Sequence, residues 1–260
     1  MINSDSLIIV IGGNGRIGKN FCLQALINTN HYLINIDPSP DDFIQENLKD
    51  KKKYFHIPIP IGKVDDAKQI LKLIDKNFPE KKINSLVNLS RVRINDIDEI
   101  LINENDVIKN INVQISGLNQ LINLFVNEKK FRDFSIIHAG SLSSRLVNHQ
   151  AVLYHYLKGA IESASKALAF KLGKYNIRSN VLICGLVNDP SFKLSLKQKK
   201  VEKACIPLIS GPPTVCDVAN LILFLISSDS RSITGTSIVI DSGMSLPDNY
   251  TVLSNLKSFN

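Results

Sequence analysis

In LYHYLKGA (153–160) a tyrosine and a lysine stand four residues apart, the spacing that puts two side chains on one face of a helix. Of the six tyrosines only Tyr154 has a lysine four positions on, Lys158, and Tyr156 points elsewhere. A phenol with its ordinary pKa near 10 exchanges protons poorly at neutral pH. A neighbouring ammonium favours the phenolate, each unit of lowering being worth about 1.4 kcal/mol. The pair is thus suited to moving a proton on and off a hydroxyl. Taken alone it reads more simply as a surface contact worth a few tenths of a kcal/mol, so the surrounding elements must decide.

Those elements alternate. LIIVI (7–11), YLINI (32–36), YFHIPIPI (54–61), INSLVNL (83–89), FSIIHA (134–139), NIRSNVLIC (176–184) and TSIVID (236–241) read as strands. They are short apolar runs bounded by turn residues, the pattern of strands buried on both faces. The two prolines in the third mark it as irregular or as an edge. Helix-period segments lie between them: one after the first strand, then 64–78, one or two within 96–128, 151–174 and 214–227, the last with Thr214 and Asp217 spaced as a capping box. Seven strands separated by helices, without linker or repeat, predict an α/β chain forming one doubly wound parallel sheet over 1–260. The polar, proline-rich stretch 188–212 reads as an excursion from it.

GGNGRIG (12–18) falls between the first strand and the first helix, with glycines at 12, 15 and 18. Glycines there allow a tight turn and bring backbone N–H groups to a pyrophosphate at the helix N-terminus. Asp37 follows the second strand, nineteen residues after Gly18, where a carboxylate accepts the hydroxyls of an adenosine ribose and repels a 2′-phosphate. NAD is therefore expected, and Arg16 beside the loop keeps NADP open. Ser141, thirteen residues before Tyr154, follows the fifth strand and faces the same crevice.

A glycine loop on the first strand, a serine past the fifth and a Tyr-x-x-x-Lys helix together resemble the short-chain dehydrogenase/reductase family, over residues 7 to 246 or so. The resemblance implies a Rossmann-type fold and hydride exchange between NAD(P)(H) and a hydroxyl or carbonyl. Tyr154 would be the acid/base, Lys158 the group that lowers its pKa and holds the nicotinamide ribose, and Ser141 the orienter of the reacting oxygen. Asn112, in NINVQISG (110–117), would support a water. It also implies a cofactor site of Gly12, Asn14, Gly15, Arg16, Ile17, Gly18, Asp37, Ile61, Asn88, Ser90, Gly185 and Val187, with Tyr154 and Lys158. Family members commonly form dimers or tetramers through the two long helices, here about 104–128 and 151–174, and Ala160, Ile161, Ala164, Ala167 and Leu168 suit such a face.

The chain departs from the family pattern in several places. Ile11 replaces the usual threonine, and the G-x-x-G-x-x-G spacing resembles that of larger sugar-nucleotide members. NLSR (88–91) replaces N-N-A-G, putting Arg91 where the backbone normally passes close to the cofactor. Near Pro60 and Ile61 the adenine-contacting aspartate is absent. Cys184-Gly185 replaces Pro-Gly, and Asn188 or Asp189 stands for the carboxamide-contacting threonine. SIVIDSGMSL (237–246) looks most similar to members from bacterial surface-sugar and flagellin-modification pathways. On this reading 188–212 is a substrate lid, whose Lys193, Lys197, Lys199 and Lys200 could meet a phosphorylated substrate or simply be solvated.

Four scattered cysteines without CxxC spacing read as the reduced thiols of a cytoplasmic protein. No metal cluster is expected. No run approaches the roughly 20 apolar residues of a membrane span. The net charge of +7 comes largely from lysine clusters at 51–53, 81–82, 129–130 and 199–200. No aromatics are interleaved with them, so a nucleic-acid partner is not expected, while an anionic ligand would benefit from the field. The expected partner is a small, polar substrate, a sugar or sugar nucleotide among the candidates. Two alternatives remain open: a catalytically weakened binding or assembly protein on the same fold, and a sugar-nucleotide epimerase or dehydratase, against which stands the lack of a further C-terminal substrate domain.

Overall fold

A computed structural model describes residues 6–48, 51–94, 103–188, 195–207 and 210–258. The start of the expected 96–128 helical region, and Asp189, Pro190 and Lys193 of the excursion, lie outside the described residues. Seven strands are present: β1 (Leu7–Ile11), β2 (Tyr32–Ile36), β3 (Tyr54–Ile57), β4 (Ile83–Asn88), β5 (Phe131–Ser141), β6 (Arg178–Cys184) and β7 (Ser237–Ile240). They form one parallel sheet in the order β3-β2-β1-β4-β5-β6-β7. Winding runs outward from β1 to β3, then returns to place β4 on the other side of β1. The crevice beyond the carboxyl ends of β1 and β4 is therefore the topological switch point, where such sheets bind ligands. Ile11 pairs with Asn88 and Ser141 with Cys184, so the residues that follow these strands emerge along one rim.

Side chains alternate across the strands and feed a core on each face. Leu7, Ile9 and Ile11 of β1 join Ile34 and Ile36 of β2 against α3 (Val64–Asn77) and α5 (Gly117–Asn127), where Ile70, Ile74, Leu121 and Phe125 are buried. Ile8 and Val10 point the other way, with Leu33, Val87 and Leu182, against Phe21, Cys22 and Ala25 of α1 (Arg16–Asn28) and Val218, Ala219, Ile222 and Leu225 of α8 (Val215–Ile226). Strands lined on both faces explain the near-continuous apolar runs of the sequence. β3 is an edge strand that stops at Ile57, just before Pro58, because proline has no N–H to offer the ladder. The Thr214–Asp217 capping box forms, the Asp217 N–H donating to Thr214 Oγ1 at 3.2 Å and the Thr214 N–H to Asp217 Oδ2 at 2.7 Å.

α4 (Glu104–Ile111) runs into α5 through one wide turn, Asn112–Ser116, in which the Gly117 N–H donates to the Asn112 carbonyl five residues back. α6 (Val152–Leu172) lies over β5 and β6 and buries Leu153, Leu157, Ile161, Ser165 and Ala169. Three helices add to those expected: α2 (Asp42–Asn47), α7 (Leu196–Cys205) within the excursion, and α9 (Asn249–Ser258). Among the described residues no helix is long and apolar enough to cross a membrane.

Candidate active site

The glycine loop is built by contact. Gly12 has φ +80°, a conformation open to glycine, and a Cβ placed on it would lie 2.9 Å from the Ser90 Cα. A Cβ on Gly18 would lie 2.5 Å from the Gly12 carbonyl oxygen. The loop thus folds back on α1 while touching the end of β4. Gly15 caps α1, leaving its first N–H groups, at Arg16, Ile17 and Gly18, facing the crevice with the helix's positive end.

On its far side the loop is tied to β2. The Gly13 N–H donates to Asn35 Oδ1 (3.1 Å), and Asn35 Nδ2 donates to Asn14 Oδ1 (2.8 Å) and to the Tyr54 hydroxyl oxygen (2.9 Å). Asn14 Nδ2 donates to the carbonyls of Ser39 and Pro40 at 2.6 and 3.0 Å. Asp37 is buried; Oδ2 accepts from the Asn14 N–H (3.0 Å) and Oδ1 from the Ser39 N–H (2.9 Å). Each carboxylate oxygen keeps further acceptor capacity.

A cavity of about 610 Å³ opens beyond the strand ends. Its wall carries Gly12, Gly15, Arg16, Ile17 and Gly18 from the loop; Leu89, Ser90 and Arg91 from the end of β4; Ser141 from β5; Tyr154 and Lys158 from α6; and Cys184, Gly185, Val187 and Asn188 from the end of β6. Gly185 is needed where it stands, since a Cβ there would lie 2.6 Å from that of Asp241. Ser141 Oγ accepts from the Ser143 N–H at 3.2 Å, closing a short turn at Leu142–Ser144. The wall places Ser141, Tyr154 and Lys158 together with the glycine loop.

Lys158 is 4% exposed. Nζ donates to the Ala139 carbonyl at 2.9 Å and to Gln114 Oε1 at 3.5 Å, and lies 5.5 Å from the centre of the Tyr154 ring. Burial, then the charge of Arg91, bring its pKa down to about 8. The Arg91 guanidinium lies across the same tyrosine, 5.1 Å from the ring centre, with Nη2 3.4 Å from Gln150 Oε1. Cys184 is a neutral thiol: burial pushes it up to about 11 against the pull of Lys158.

Five expected residues lie off the cavity wall: Asp37, described above, and four more. Asn112 opens the wide turn on the side of Gly62, its Cβ 3.7 Å from a Cβ placed there, and Gln114, two residues on, meets the ammonium. Gln114 Nε2 donates to Asn110 Oδ1 at 2.9 Å, both side chains buried. Their four-residue spacing was the available signal. Ile61 is in the core, pressed against Gly117 rather than on the cavity wall. Asn88 is buried beneath the wall, where Oδ1 accepts from the Ser90 N–H (3.2 Å) and hydroxyl (2.7 Å). Asn14 binds β2 and the residues after it, as described. Arg91 does not crowd the loop: the close backbone approach falls on Ser90, and its side chain turns into the cavity.

The glycine-wrapped helix N-terminus and the Tyr154–Lys158 wall fit the pyrophosphate and nicotinamide ends of a dinucleotide, and Asp37 lies behind the loop, just past β2. These features define a nucleotide-binding α/β enzyme fold. A family model described as enoyl-(acyl carrier protein) reductase matches residues 30–245, and the chain belongs to the short-chain dehydrogenase/reductase family of NAD(P)-dependent oxidoreductases. It is 26% identical to the 3-oxoacyl-[acyl-carrier-protein] reductase FabG of Buchnera aphidicola, over 95% of this chain and 100% of that protein. It is likewise 26% identical to the post-translational flagellin modification protein A of Campylobacter coli, over 93% and 99%. A short-chain dehydrogenase from Leptospira borgpetersenii, solved with bound NAD+, shares the fold at a TM-score of 0.76 and 20% identity, covering 94% of both chains.

Proposed function

We propose that this protein transfers hydride between NAD(H) and the hydroxyl or carbonyl of a small polar substrate, with NADP as an alternative carrier. Bound NAD(H) supplies or accepts the hydride. Arg16, Gly15 and the N–H groups that open α1 hold the pyrophosphate, and Asp37 accepts the adenosine ribose. Lys158 holds the nicotinamide ribose and keeps its ammonium beside the phenol. Tyr154 gives its proton to the reacting oxygen in reduction and takes it back in oxidation. Ser141 donates to that oxygen and fixes its direction.

One observation carries this reading: Tyr154 and Lys158 stand on the same wall as Ser141 and the glycine loop. A sugar or sugar nucleotide is the substrate class we favour, supported by similarity to an L-rhamnose-1-dehydrogenase and an L-xylulose reductase. We also propose a cytoplasmic homodimer or homotetramer through α4–α5 and α6, on which Ile108, Ile111, Tyr156, Ala160 and Ala167 are exposed; scattering in solution measures it. The test of the chemistry is Tyr154→Phe: turnover of NADH with a panel of ketoses and keto-sugars should fall at least about a hundredfold, the scale of lost acid–base catalysis, while NADH fluorescence still reports binding. Turnover at the wild-type rate refutes the assignment. Wild-type protein that binds neither NADH nor NADPH at millimolar concentration favours a binding protein on this fold.

A further inference from the structure

The cavity wall has a charge pattern that hydride transfer alone does not require. Among the described residues its charged groups are Arg16, Arg91 and Lys158, and none of them is a carboxylate. Arg16 opens α1 and serves the phosphate end. Lys158 is buried and held by the Ala139 carbonyl. Arg91 differs from both: it is solvent-exposed, and it lies beside Tyr154 of α6 and Gln150 just before it. Among the described residues its polar contacts are the tyrosine ring and one long bond that it donates to Gln150 Oε1, and neither neutralises it.

This arrangement has a cost. Two cations flank one phenol, Nζ 5.5 Å and the guanidinium carbon 5.1 Å from the ring centre. Like charges so placed repel, and the repulsion is felt most at the buried partner. A bound oxidised nicotinamide would add a third positive charge at the same place. A substrate that brings a negative charge to the guanidinium offsets all three interactions at once. A guanidinium over an aromatic ring can still offer two N–H groups in parallel bonds to a planar or tetrahedral oxyanion.

We propose that Arg91 is the receptor for an anionic group, carboxylate or phosphate, on the substrate, and that this contact sets the reacting carbon beside Tyr154. The proposal rests on the oxidoreductase reading and narrows its substrate to an acid or a phosphate ester. Arg91 thereby determines specificity, selecting against neutral analogues of the same shape.

The test uses calorimetric titration of the full-length protein at low salt with three probes: malonate, its neutral counterpart malonamide, and inorganic phosphate. Wild type should bind malonate or phosphate but not malonamide, and whichever anion binds identifies the group. Arg91→Gln should weaken that binding by about tenfold or more, as loss of a charge-assisted contact does, with Arg91→Lys in between. Circular dichroism checks that the variants fold. No anion binding by wild type, or binding undiminished in Arg91→Gln but lost in Arg16→Gln, overturns the proposal. An equal loss of NADH affinity in Arg91→Gln overturns it too, by assigning the arginine to the cofactor. Failure of the oxidoreductase reading looks different: malonate bound through Arg91 by a protein that binds neither NADH nor NADPH.

Discussion

The Lys158 ammonium and the Gln114 carboxamide face each other inside the protein, Nζ to Oε1 at 3.5 Å, with both side chains shielded from solvent. Gln114 is in turn held by Asn110, whose Nδ2 donates to the Asp106 carbonyl at 2.9 Å. The chain of amides orients the lysine without supplying a group that titrates near neutrality. Gln114→Leu should leave the ammonium short of one acceptor, destabilise the fold by about 1–3 kcal/mol at neutral pH and lower the pKa of Lys158 further. Gln114→Glu should raise that pKa. Urea denaturation and NMR titration of the lysine Nζ measure both, and a pKa indifferent to the two substitutions would show that the contact orients nothing.

Lys158 itself predicts a pH dependence. Its pKa is lowered from 10.5 to about 8, so the native state releases this proton before the unfolded chain does. Below about 8 both states hold it and the full penalty of burying the charge stands, roughly 3 kcal/mol. Between about 8 and 10.5 the native lysine is neutral while the unfolded one is still charged, and stability from this group rises with pH. Whatever depends on the ammonium, the proposed ribose contact included, declines as pH passes about 8. Arg91→Gln removes the second cause of the lowering and should move that midpoint upward. NADH affinity followed against pH in both proteins checks the sign, and a downward move contradicts it.

Much of this was readable in advance because buried parallel strands and glycine turns leave strong local marks. LIIVI followed by GGNGRIG states strand, turn and helix within twelve residues, and the structure reproduces them. What escaped lacks such a mark. α2 buries only Ile44, and KQKKVEK within α7 has too few apolar residues for periodicity to register. Gln114 escaped for a different reason: it lies within the i→i+5 turn at Asn112–Ser116, and that turn forms where Gly117 lets the helix approach Gly62, a tertiary contact. Arg91 stood out in the sequence as a misfit, but its place across the Tyr154 ring depends on how β4 and α6 meet.

The glycine loop has little tolerance for side chains. Gly18→Ala puts a Cβ 2.5 Å from the Gly12 carbonyl oxygen and 2.7 Å from the Gly13 backbone, neither of which is the end of a flexible side chain. The loop must open. We expect a loss of about 1–3 kcal/mol of stability, as overpacking costs elsewhere, and NADH binding weakened more than the stability change alone would predict. Gly159→Ala, where an added Cβ meets nothing within 4 Å, is the control. If Gly18→Ala melts and binds like the control, the loop is looser than its contacts indicate.

Asp37 tests the choice of cofactor. Its carboxylate accepts from the Asn14 and Ser39 N–H groups, so it fixes the loop, and in the proposed site it presents negative charge to a ribose. Asp37→Ser removes the charge that repels a 2′-phosphate and retains one hydroxyl as an acceptor. The ratio of NADPH to NADH affinity should rise by about tenfold or more, one fully expressed charge contact, and the melting temperature should fall as the Asn14 and Ser39 contacts weaken. Arg16 sharpens the comparison: in Asp37→Ser/Arg16→Gln the gain for NADPH should shrink, because the cation that would meet the extra phosphate is gone. A ratio unmoved in the single variant, with NADH still bound, would place the adenosine ribose away from Asp37 and leave that carboxylate purely as the clasp of the glycine loop.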